Sequence, residues 1–277
     1  MNTGIEKVCI IIRVYDRMED LENCIDIIRD TWRSFDYYII VVANGKSNGF
    51  TVNAAYQNKI NKLVDLGNNA GHLKGNAQLL QEGLAYIPGD CQYTIILEAD
   101  TWMHGDDVVK KYVNALNTDN AVWASAQWYS HLYSLATDFA IIKQDFLRSN
   151  QAIFEYSGFP ECYAANYLID NGFRFIYITE NMPVHLPSYV KSYPYSSKLR
   201  FNVFPVSKMV THHIELLKGG MNRKKLLFNT LAEVDYFKGD GVKANKLLKL
   251  KIIFAVKLSY IFPIKGWVLS GRRLKID

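Results

Sequence analysis

The chain has 277 residues, 49% of them hydrophobic and 21% charged, which suits one α/β domain with an appendage or two small domains. Its four cysteines form no CxxC pair and have no histidine at zinc-finger spacing, so we exclude a disulfide scaffold and expect reduced thiols. No signal segment precedes the first strand pattern, and lysines interrupt the long apolar runs. We therefore expect a cytoplasmic protein without a transmembrane helix.

The net charge of +5 is unevenly distributed along the chain. Residues 218–277 carry 14 Lys and Arg against 4 Asp and Glu, a balance of +10, so the remaining residues hold 18 against 23, a balance of −5. A basic segment on a mildly acidic body could meet an anionic membrane, a phosphorylated acceptor or nucleic acid. We expect no nucleic-acid partner, because the tail lacks the aromatic–basic interleaving of known binding modules.

Strands and helices alternate through the first 116 residues. Nearly continuous apolar runs predict buried strands at 7–15, 37–43, 62–66 and 92–97. Apolar residues at helical spacing predict helices at 18–34, at 51–62, from the loop 67–76 to about residue 87, and at about 106–116. The alternation predicts a doubly wound α/β sheet, in which ligands bind beyond the carboxyl ends of the strands. Polar loops fall at that edge, at 15–17, 44–49, 67–76 and 98–101.

The second half of the chain is less regular. The segments VWASAQWY, FAII and FRFIYI predict further strands, and a helix at about 161–171 ends at Asn171-Gly172, a typical stop signal. The prolines and serines of 186–205 predict a loop. Residues 206–262 are predicted to be mostly helical.

Two acids, Glu98 and Asp100, stand where the strand QYTIIL ends. The spacing alone is common, but carboxylates at the ligand edge of a sheet can hold a hard divalent cation through oxygen. Such a cation pairs naturally with a diphosphate. The alternative is that Asp100 or Thr101 caps the following helix, and the sequence leaves both interpretations open.

The loop 67–76 has small residues whose amides could approach a nucleotide closely, and Lys74 could meet a phosphate. The loop is not the dinucleotide-binding fingerprint, which would be expected in the first strand–helix turn. That turn is Tyr15-Asp16-Arg17-Met18 and contains no glycine.

Four segments together resemble glycosyltransferase family 2 and its relatives with the GT-A fold. They are CIIIRVYDR, IIVVANGKSNG, the loop from Asn69 to Asn76 before AQLLQEGLAYI, and ILEAD. The resemblance covers roughly residues 7–185 and depends on the order and distances of the four segments. It implies a GT-A (Rossmann-like) catalytic domain over residues 1–205, a mixed sheet flanked by helices, followed by a basic, mainly helical region over 206–277.

The resemblance also implies roles for two later residues. Glu161 takes the place of the family's general base, although Pro160 stands where the first acid of the family's acidic pair is normally found. A first-turn helix acid is the alternative for Glu161. His185 follows the strand FRFIYI, where family members often place a histidine that completes the metal site, so we expect Asp100 and His185 to bind Mn²⁺ or Mg²⁺.

The nucleotide is expected to lie against the ends of the first, second and fourth strands and the glycine-containing loop. Where the family usually has an aspartate that reads the base, this chain has Ala43 followed by Asn44. An asparagine can both donate and accept hydrogen bonds, so a base contact is retained. The expected donor-binding residues are Val14, Tyr15, Asp16, Asn44, Asn69, Gly71, Lys74, Asn76 and Glu98.

The function that the resemblance implies is metal-dependent, inverting transfer of a sugar from a nucleotide sugar to a glycan or lipid-linked acceptor, as in surface polysaccharide synthesis. A sugar nucleotidyltransferase and a non-catalytic binding protein on the same scaffold are the alternatives. Residues 245–262 mix lysine with large apolar residues, which is typical of an interfacial helix at the inner face of the membrane and equally of a packed helix with snorkelling lysines.

Overall fold

The computed structural model describes residues 6–129, 132–156, 158–178, 201–212 and 219–261, and only the backbone at 201, 202, 212 and 255–261. Its strands are β1 (Lys7–Val14), β2 (Asp36–Ala43), β3 (Lys62–Asp65), β4 (Tyr93–Glu98), β5 (Trp102–Met103), β6 (Trp123–Ser125), β7 (Phe139–Lys143), β8 (Phe175–Tyr177), β9 (Phe201–Phe204) and β10 (Met209–His212). Its helices are α1 (Met18–Thr31), α2 (Ala54–Gln57), α3 (His72–Leu84), α4 (Asp107–Thr118), α5 (Gln144–Ser149), α6 (Pro160–Asp170), α7 (Gly220–Ala232) and α8 (Lys246–Ile261).

Seven strands form one mixed sheet in the order β3-β2-β1-β4-β7-β6-β8, in which only β7 runs antiparallel to its neighbours. The chain leaves β1 in one direction to make β2 and β3 and then returns to add β4 on the other side. Crevices for ligands form at such a switch point, beyond the carboxyl ends of the strands. The predicted α/β fold, a mixed sheet flanked by helices, is confirmed.

The core lies on both faces of the sheet. Alternate residues of β1 enter two separate apolar clusters, with Ile10 and Ile12 on one face and Cys9 and Ile11 on the other. Helices α1, α4 and α7 cover the first face, and α3, α5 and α6 cover the second. Burial on both faces explains why β1 and β2 are apolar almost throughout. All four cysteines are buried and unpaired.

A second, three-stranded sheet has the order β5-β10-β9 and is antiparallel. Two of its strands differ from our expectations, because β9 lies within the predicted loop 186–205 and β10 within the predicted helical region. Met209 and Val210 of β10 pair with Met103 and Trp102, more than a hundred residues earlier in the chain. A four-residue strand with so distant a partner carries too weak a local pattern to be recognised.

Two helix boundaries also differ from prediction. The helix expected at 51–62 is only the single turn α2, which begins after Asn53, whose side chain accepts a hydrogen bond from the amide of Ala55. Helix α3 begins at His72, inside the predicted loop 67–76, after Gly71 with φ +89°. The first turn of α3 is therefore built from residues that we expected to be irregular.

The last described segments pack on the helices that cover the large sheet. Leu227 and Phe228 of α7 are fully buried in the cluster that includes α1, and the Phe228 ring meets Trp102 edge-on with centroids 6.1 Å apart. None of the helices in the described ranges has the length and apolar character needed to cross a bilayer.

Candidate functional site

A cavity of about 300 Å³ opens at the carboxyl ends of β1, β2 and β4, beside the first turn of α3. It lies at the edge where the sequence predicted ligand binding. Its walls include nine of the predicted site residues, namely Val14, Tyr15, Asp16, Asn44, Asn69, Gly71, Asn76, Glu98 and Asp100. The other lining residues are Arg13, Arg17, His72, Gly75, Leu79 and Ala99.

Two of the predicted site residues that the structure describes do not line this cavity. Lys74 is exposed on the first turn of α3. Glu161 stands on the first turn of α6 and is half-buried. His185 lies outside the described residues, so its expected role stays a prediction.

Asp100 is 7% exposed and lies between β4 and β5. Among the described residues, none donates a hydrogen bond to its Oδ1. The alternative role as a helix cap is wrong, because Thr101 is followed by β5 and α4 begins only at Asp107. A buried carboxylate oxygen without a partner is costly, and a bound cation would satisfy it.

The residues present fit a cation that is shared with a ligand. No group of three or more His, Cys, Asp or Glu residues that could enclose a metal occurs within the described part of the chain. Mg²⁺ and similar hard cations are commonly held by one or two carboxylates together with substrate phosphates and water. Asp100, at the wall of an open cavity, suits that arrangement.

Arg13 at the end of β1 organises one wall of the cavity. Its side chain is almost fully buried and donates to Glu98 Oε1 at 3.2 Å, to Asn76 Oδ1 and to the carbonyl of Thr137. Its Nε has no hydrogen-bond partner among the described residues. Arg13 thus joins β4 to the N-terminal half of α3 and places a cation in the cavity wall.

Two asparagines meet where β2 and α3 face the cavity. The Nδ2 of Asn44 donates to Asn69 Oδ1 at 3.4 Å, and the same oxygen accepts the amide of Gly71 at 2.9 Å. A Cβ at Gly75 would lie 2.5 Å from Asn69 Oδ1 and 3.2 Å from Asn44 Nδ2, so only glycine allows this approach. The buried Oδ1 of Asn44 has no donor within the described ranges and remains available to a ligand.

Tyr15 forms an aromatic wall of the cavity. Its ring meets Phe50 edge-on with centroids 5.5 Å apart, and its hydroxyl accepts a hydrogen bond from Asn48 Nδ2 at 2.7 Å. A side chain at Gly45 would collide with the carbonyl of Tyr15, so glycine is required for this turn. The tyrosine is therefore held in place by the turn that follows β2.

Glu161 has a raised pKa, chiefly because burial disfavours its charged form and further because Glu98 and Asp138 are negative. Two of the charged residues that influence this pKa, Glu98 and Arg13, line the cavity. Burial also raises the pKa of Tyr156 to about 12, and its hydroxyl has no partner among the described residues. A carboxyl group with a raised pKa is a better proton acceptor near neutral pH.

Several residues of the site were not predicted from the sequence. Arg13 could have been recognised by one feature of the sequence, because it is a charged residue inside an otherwise apolar strand. Asp138 is buried beside the end of β4, where its carbonyl accepts the amide of Glu98 at 2.9 Å. Lys224 donates to the carbonyl of Asp100 at 2.5 Å and to Asp20 Oδ1 at 2.5 Å. Nothing local in the sequence relates Lys224 to residues so far away.

The chain has distant structural relatives. It resembles the mannosyltransferase PcManGT from Pyrobaculum calidifontis in complex with GDP-Man and Mn²⁺, with 16% identity, a TM-score of 0.49, and coverage of 65% of this chain and 56% of that one. It also resembles S. aureus TarS 1–349, with 12% identity, a TM-score of 0.44, and coverage of 58% and 55%, respectively. The chain thus spans just over half the length of these proteins.

No curated protein sequence matches the chain. Residues 9–170 match the family model described as "Glycosyl transferase family 2", which covers more than half of the 277 residues. The matched range contains every residue that lines the cavity, together with Glu161. The chain therefore belongs to glycosyl transferase family 2, a family of glycosyltransferases with the GT-A fold.

Proposed function

We propose that the protein is a metal-dependent glycosyltransferase that moves a sugar from a nucleotide-sugar donor to a hydroxyl group of a glycan or lipid-linked acceptor, with inversion, as in surface polysaccharide synthesis. One observation carries the proposal. The buried Asp100 places an unpartnered carboxylate oxygen at the wall of a cavity that also receives the ends of β1 and β2 and the first turn of α3. Such a combination suits a cation-bridged diphosphate.

Asp100 is the proposed protein ligand of Mn²⁺ or Mg²⁺, with His185 as a second ligand. When bound, the cation neutralises the negative charge that develops on the departing nucleoside diphosphate. Glu98 stands beside Asp100, and its carboxylate is held by Arg13 at 3.2 Å. Arg13 keeps Glu98 in a fixed position and so limits the repulsion between two neighbouring carboxylates.

The donor is held by three features of the cavity. The amides at the N-terminus of α3 begin at Gly71 and favour a negatively charged group such as a phosphate. The amide of Asn44 can both donate to and accept from a nucleobase. The ring of Tyr15 offers an apolar face for a base or a sugar, and Val14, Asp16, Asn69 and Asn76 complete the surface.

Glu161 is the proposed general base. Its carboxylate takes the proton from the acceptor hydroxyl as the hydroxyl oxygen attacks the anomeric carbon, in a single displacement that inverts the configuration. The raised pKa of Glu161 supports this role, because it makes the carboxylate a stronger base than an exposed glutamate.

A two-step experiment tests the function. A thermal-shift screen of nucleoside diphosphates and nucleotide sugars, with and without Mn²⁺, identifies the donor, and NMR of the product then gives the anomeric configuration. We expect stabilisation that needs both the nucleotide and Mn²⁺, followed by turnover. Binding without hydrolysis or transfer would instead support a non-catalytic binding protein, which the departures from the family pattern at Ala43 and Pro160 favour.

We also propose that α8 contacts an anionic membrane surface at the cytoplasmic face. Leu248 and Ile252 pack in the core, whereas Leu247, Leu250 and Phe254 are each more than 60% exposed and follow one another at helical spacing. Exposed lysines at 243 and 246 precede this apolar stripe. An apolar helix face with adjacent cations suits the interface of an anionic bilayer, where a lipid-linked acceptor would be found.

A further inference from the structure

Lys224 of α7 is fully buried, although it is a lysine. Its Nζ lies 2.5 Å from Oδ1 of Asp20 on α1, which is 1% exposed, and 2.5 Å from the backbone oxygen of Asp100. It also lies 4.2 Å from the centre of the Trp102 ring. The ammonium group thus touches an acid, a carbonyl and an aromatic face, and all three lie at the back of the metal-binding turn.

A contribution to the stability of the fold does not explain why a lysine is buried at this position. Removing an ammonium and a carboxylate from water costs several kcal/mol for each ion, and a buried ion pair often stabilises no more than well-packed apolar residues would. A purely structural role would be filled equally well by an apolar side chain between α7, α1 and Trp102. What the lysine does that an apolar side chain cannot do is to bind Asp20 and the Asp100 carbonyl, and these two contacts indicate its role.

Lys224 holds the peptide group that follows Asp100. The residues on either side of Asp100 are already fixed by backbone hydrogen bonds. The amide of Ala99 donates to the backbone carbonyl of Arg13 at 3.1 Å, and the amide of Thr101 donates to the backbone carbonyl of Glu98 at 3.0 Å. With the carbonyl of Asp100 also bound, this short turn has little freedom to rotate. The direction of the Asp100 carboxylate is therefore restricted by a residue that does not line the cavity.

Asp20, the acid that binds Lys224, also contacts the segment that follows Asp100. The backbone oxygen of Asp20 accepts a hydrogen bond from Nε1 of Trp102 at 3.0 Å, so Asp20 binds both Lys224 and the second residue after Asp100. The ion pair consequently ties α7 and α1 to the same short stretch of chain. A shift of α7 would move the metal-binding aspartate.

We propose that Lys224 is a positioning residue, which orients Asp100 for cation binding by holding its backbone carbonyl, an inference that rests on the proposed metal-dependent function. Residues behind a metal ligand commonly change metal affinity by 10–100-fold when they are removed. On this basis α7, which lies in the basic C-terminal region, completes the donor site without touching the donor.

The test compares two variants that differ in what they remove. In Asp20→Asn/Lys224→Met the buried pair becomes neutral, the lysine stem is replaced by a side chain of similar length, and no unpaired charge is left behind. Leu227→Ala, on the same helix, removes only apolar packing. Mn²⁺ affinity is measured by electron paramagnetic resonance of the free ion, with Mn²⁺ alone and with UDP or GDP, and the melting temperature is recorded for each variant.

We expect the double variant to bind Mn²⁺ roughly tenfold more weakly or worse, at a melting temperature close to that of the wild type. We expect Leu227→Ala to melt earlier and to keep wild-type Mn²⁺ affinity. Wild-type affinity in the folded double variant would overturn the proposal. If the double variant does not fold, Lys224→Met alone decides, because it removes the donor to the Asp100 carbonyl and leaves a buried Asp20 carboxyl that can take a proton and become neutral, since burial raises its pKa. An unchanged Mn²⁺ affinity in Lys224→Met would equally overturn the proposal. A wild-type protein that binds no Mn²⁺ would refute the metal-dependent function instead.

Discussion

Arg13 and Glu98 lie side by side on the parallel strands β1 and β4, and the Arg13 guanidinium donates to Glu98 Oε1 at 3.2 Å. The register of the sheet places the two residues side by side, because β1 and β4 are hydrogen-bonded neighbours in which Arg13 is aligned with Glu98. The pair lies between the apolar interior of the sheet and the cavity, and it places one positive and one negative group in the cavity wall.

Replacing Arg13 should destabilise the protein and weaken donor binding. Arg13→Met removes the hydrogen bonds that Arg13 donates to Glu98, to Asn76 and to the Thr137 carbonyl. Breaking a fully buried pair costs about 3–5 kcal/mol, and because the Glu98 side chain is 30% exposed we expect a smaller loss, about 2 kcal/mol. The loss is measured as the change in the free energy of unfolding in urea. Arg148→Met, which removes an exposed pair with Asp145 and an exposed hydrogen bond to the Gly89 carbonyl, is the control and should cost below about 1 kcal/mol. Equal losses in the two variants would contradict the role of Arg13.

Neutralising Asp100 should abolish metal binding while leaving the fold intact. In Asp100→Asn no hydrogen bond to Oδ1 among the described residues is lost, and a buried charge is removed, so the melting temperature should stay the same or rise. Mn²⁺-dependent turnover should fall by at least about 100-fold, by analogy with the loss of one strong electrostatic contact in a transition state. Full turnover in this variant would disprove the site.

Asp106 provides a matched control for Asp100. It is equally buried and lies six residues later, but its carboxylate accepts hydrogen bonds from the amides of Arg33 and Ser34 and from the hydroxyl of Tyr37. Asp106→Asn should therefore lower the melting temperature and leave Mn²⁺ affinity unchanged. A loss of Mn²⁺ affinity in Asp106→Asn, with a lower melting temperature but unchanged Mn²⁺ affinity in Asp100→Asn, would show that Asp106 and not Asp100 is the functional acid.

Glu161 should impose a pH dependence on turnover. The base must be ionised, so kcat/KM should rise with pH through the raised pKa of Glu161, above its ordinary value of 4.5. Glu161→Gln should remove most of the activity and flatten this limb of the profile. Glu155→Gln, at an exposed acid before the same helix, should keep the wild-type profile.

The same pKa shift has a consequence for stability. A carboxyl group whose pKa is raised on folding holds its proton longer in the folded state, so it destabilises the fold as pH rises between the unfolded and folded pKa values. Glu161→Gln should consequently be more stable than the wild type at neutral pH, and the difference should vanish well below pH 4.5. Melting temperatures across pH check the sign, and a less stable variant at neutral pH would contradict it.

A methyl group at Gly75 should disturb the donor site. In Gly75→Ala the new Cβ would press on Asn69 Oδ1 and Asn44 Nδ2 and separate the two asparagines. Alanine also favours the helix by about 1 kcal/mol, so the net change in stability should be small while the KM for the donor rises. Gly67→Ala is the control, because nothing lies within 4 Å of the added atom. An unchanged KM in Gly75→Ala would exclude the asparagines from donor binding.

Removing the apolar stripe of α8 should abolish membrane binding. The variant with serine at Leu247, Leu250 and Phe254 should no longer sediment with vesicles of phosphatidylglycerol and phosphatidylcholine, whereas the wild type should bind them and release at high salt. Val206→Ser changes an exposed apolar residue outside α8 and should bind as the wild type does. Equal binding of the wild type to pure phosphatidylcholine would contradict a role for the lysines.

Much of the sheet was predictable, because its strands are long, apolar and buried on both faces. The runs at 7–15 and 37–43 predicted β1 and β2 closely, and residues of the polar loops at their ends line a cavity at the carboxyl edge of the sheet. The short elements were not predictable. Strand β10 contains only four residues and is stabilised by pairing with β5 rather than by its own pattern.

The sequence by itself determined the order of the long strands and helices in the first 116 residues and most of the cavity wall, since near-neighbour patterns of apolar and polar residues encode the ends of buried strands, and the order of its motifs indicated the family. Only the tertiary structure decided which charges meet. Arg13 reaches Glu98, and Lys224 reaches Asp20 and Asp100, across 85 to 204 positions of the chain. Such partners are chosen by the packing of whole elements, because a buried charge must find its counter-charge wherever the fold places one.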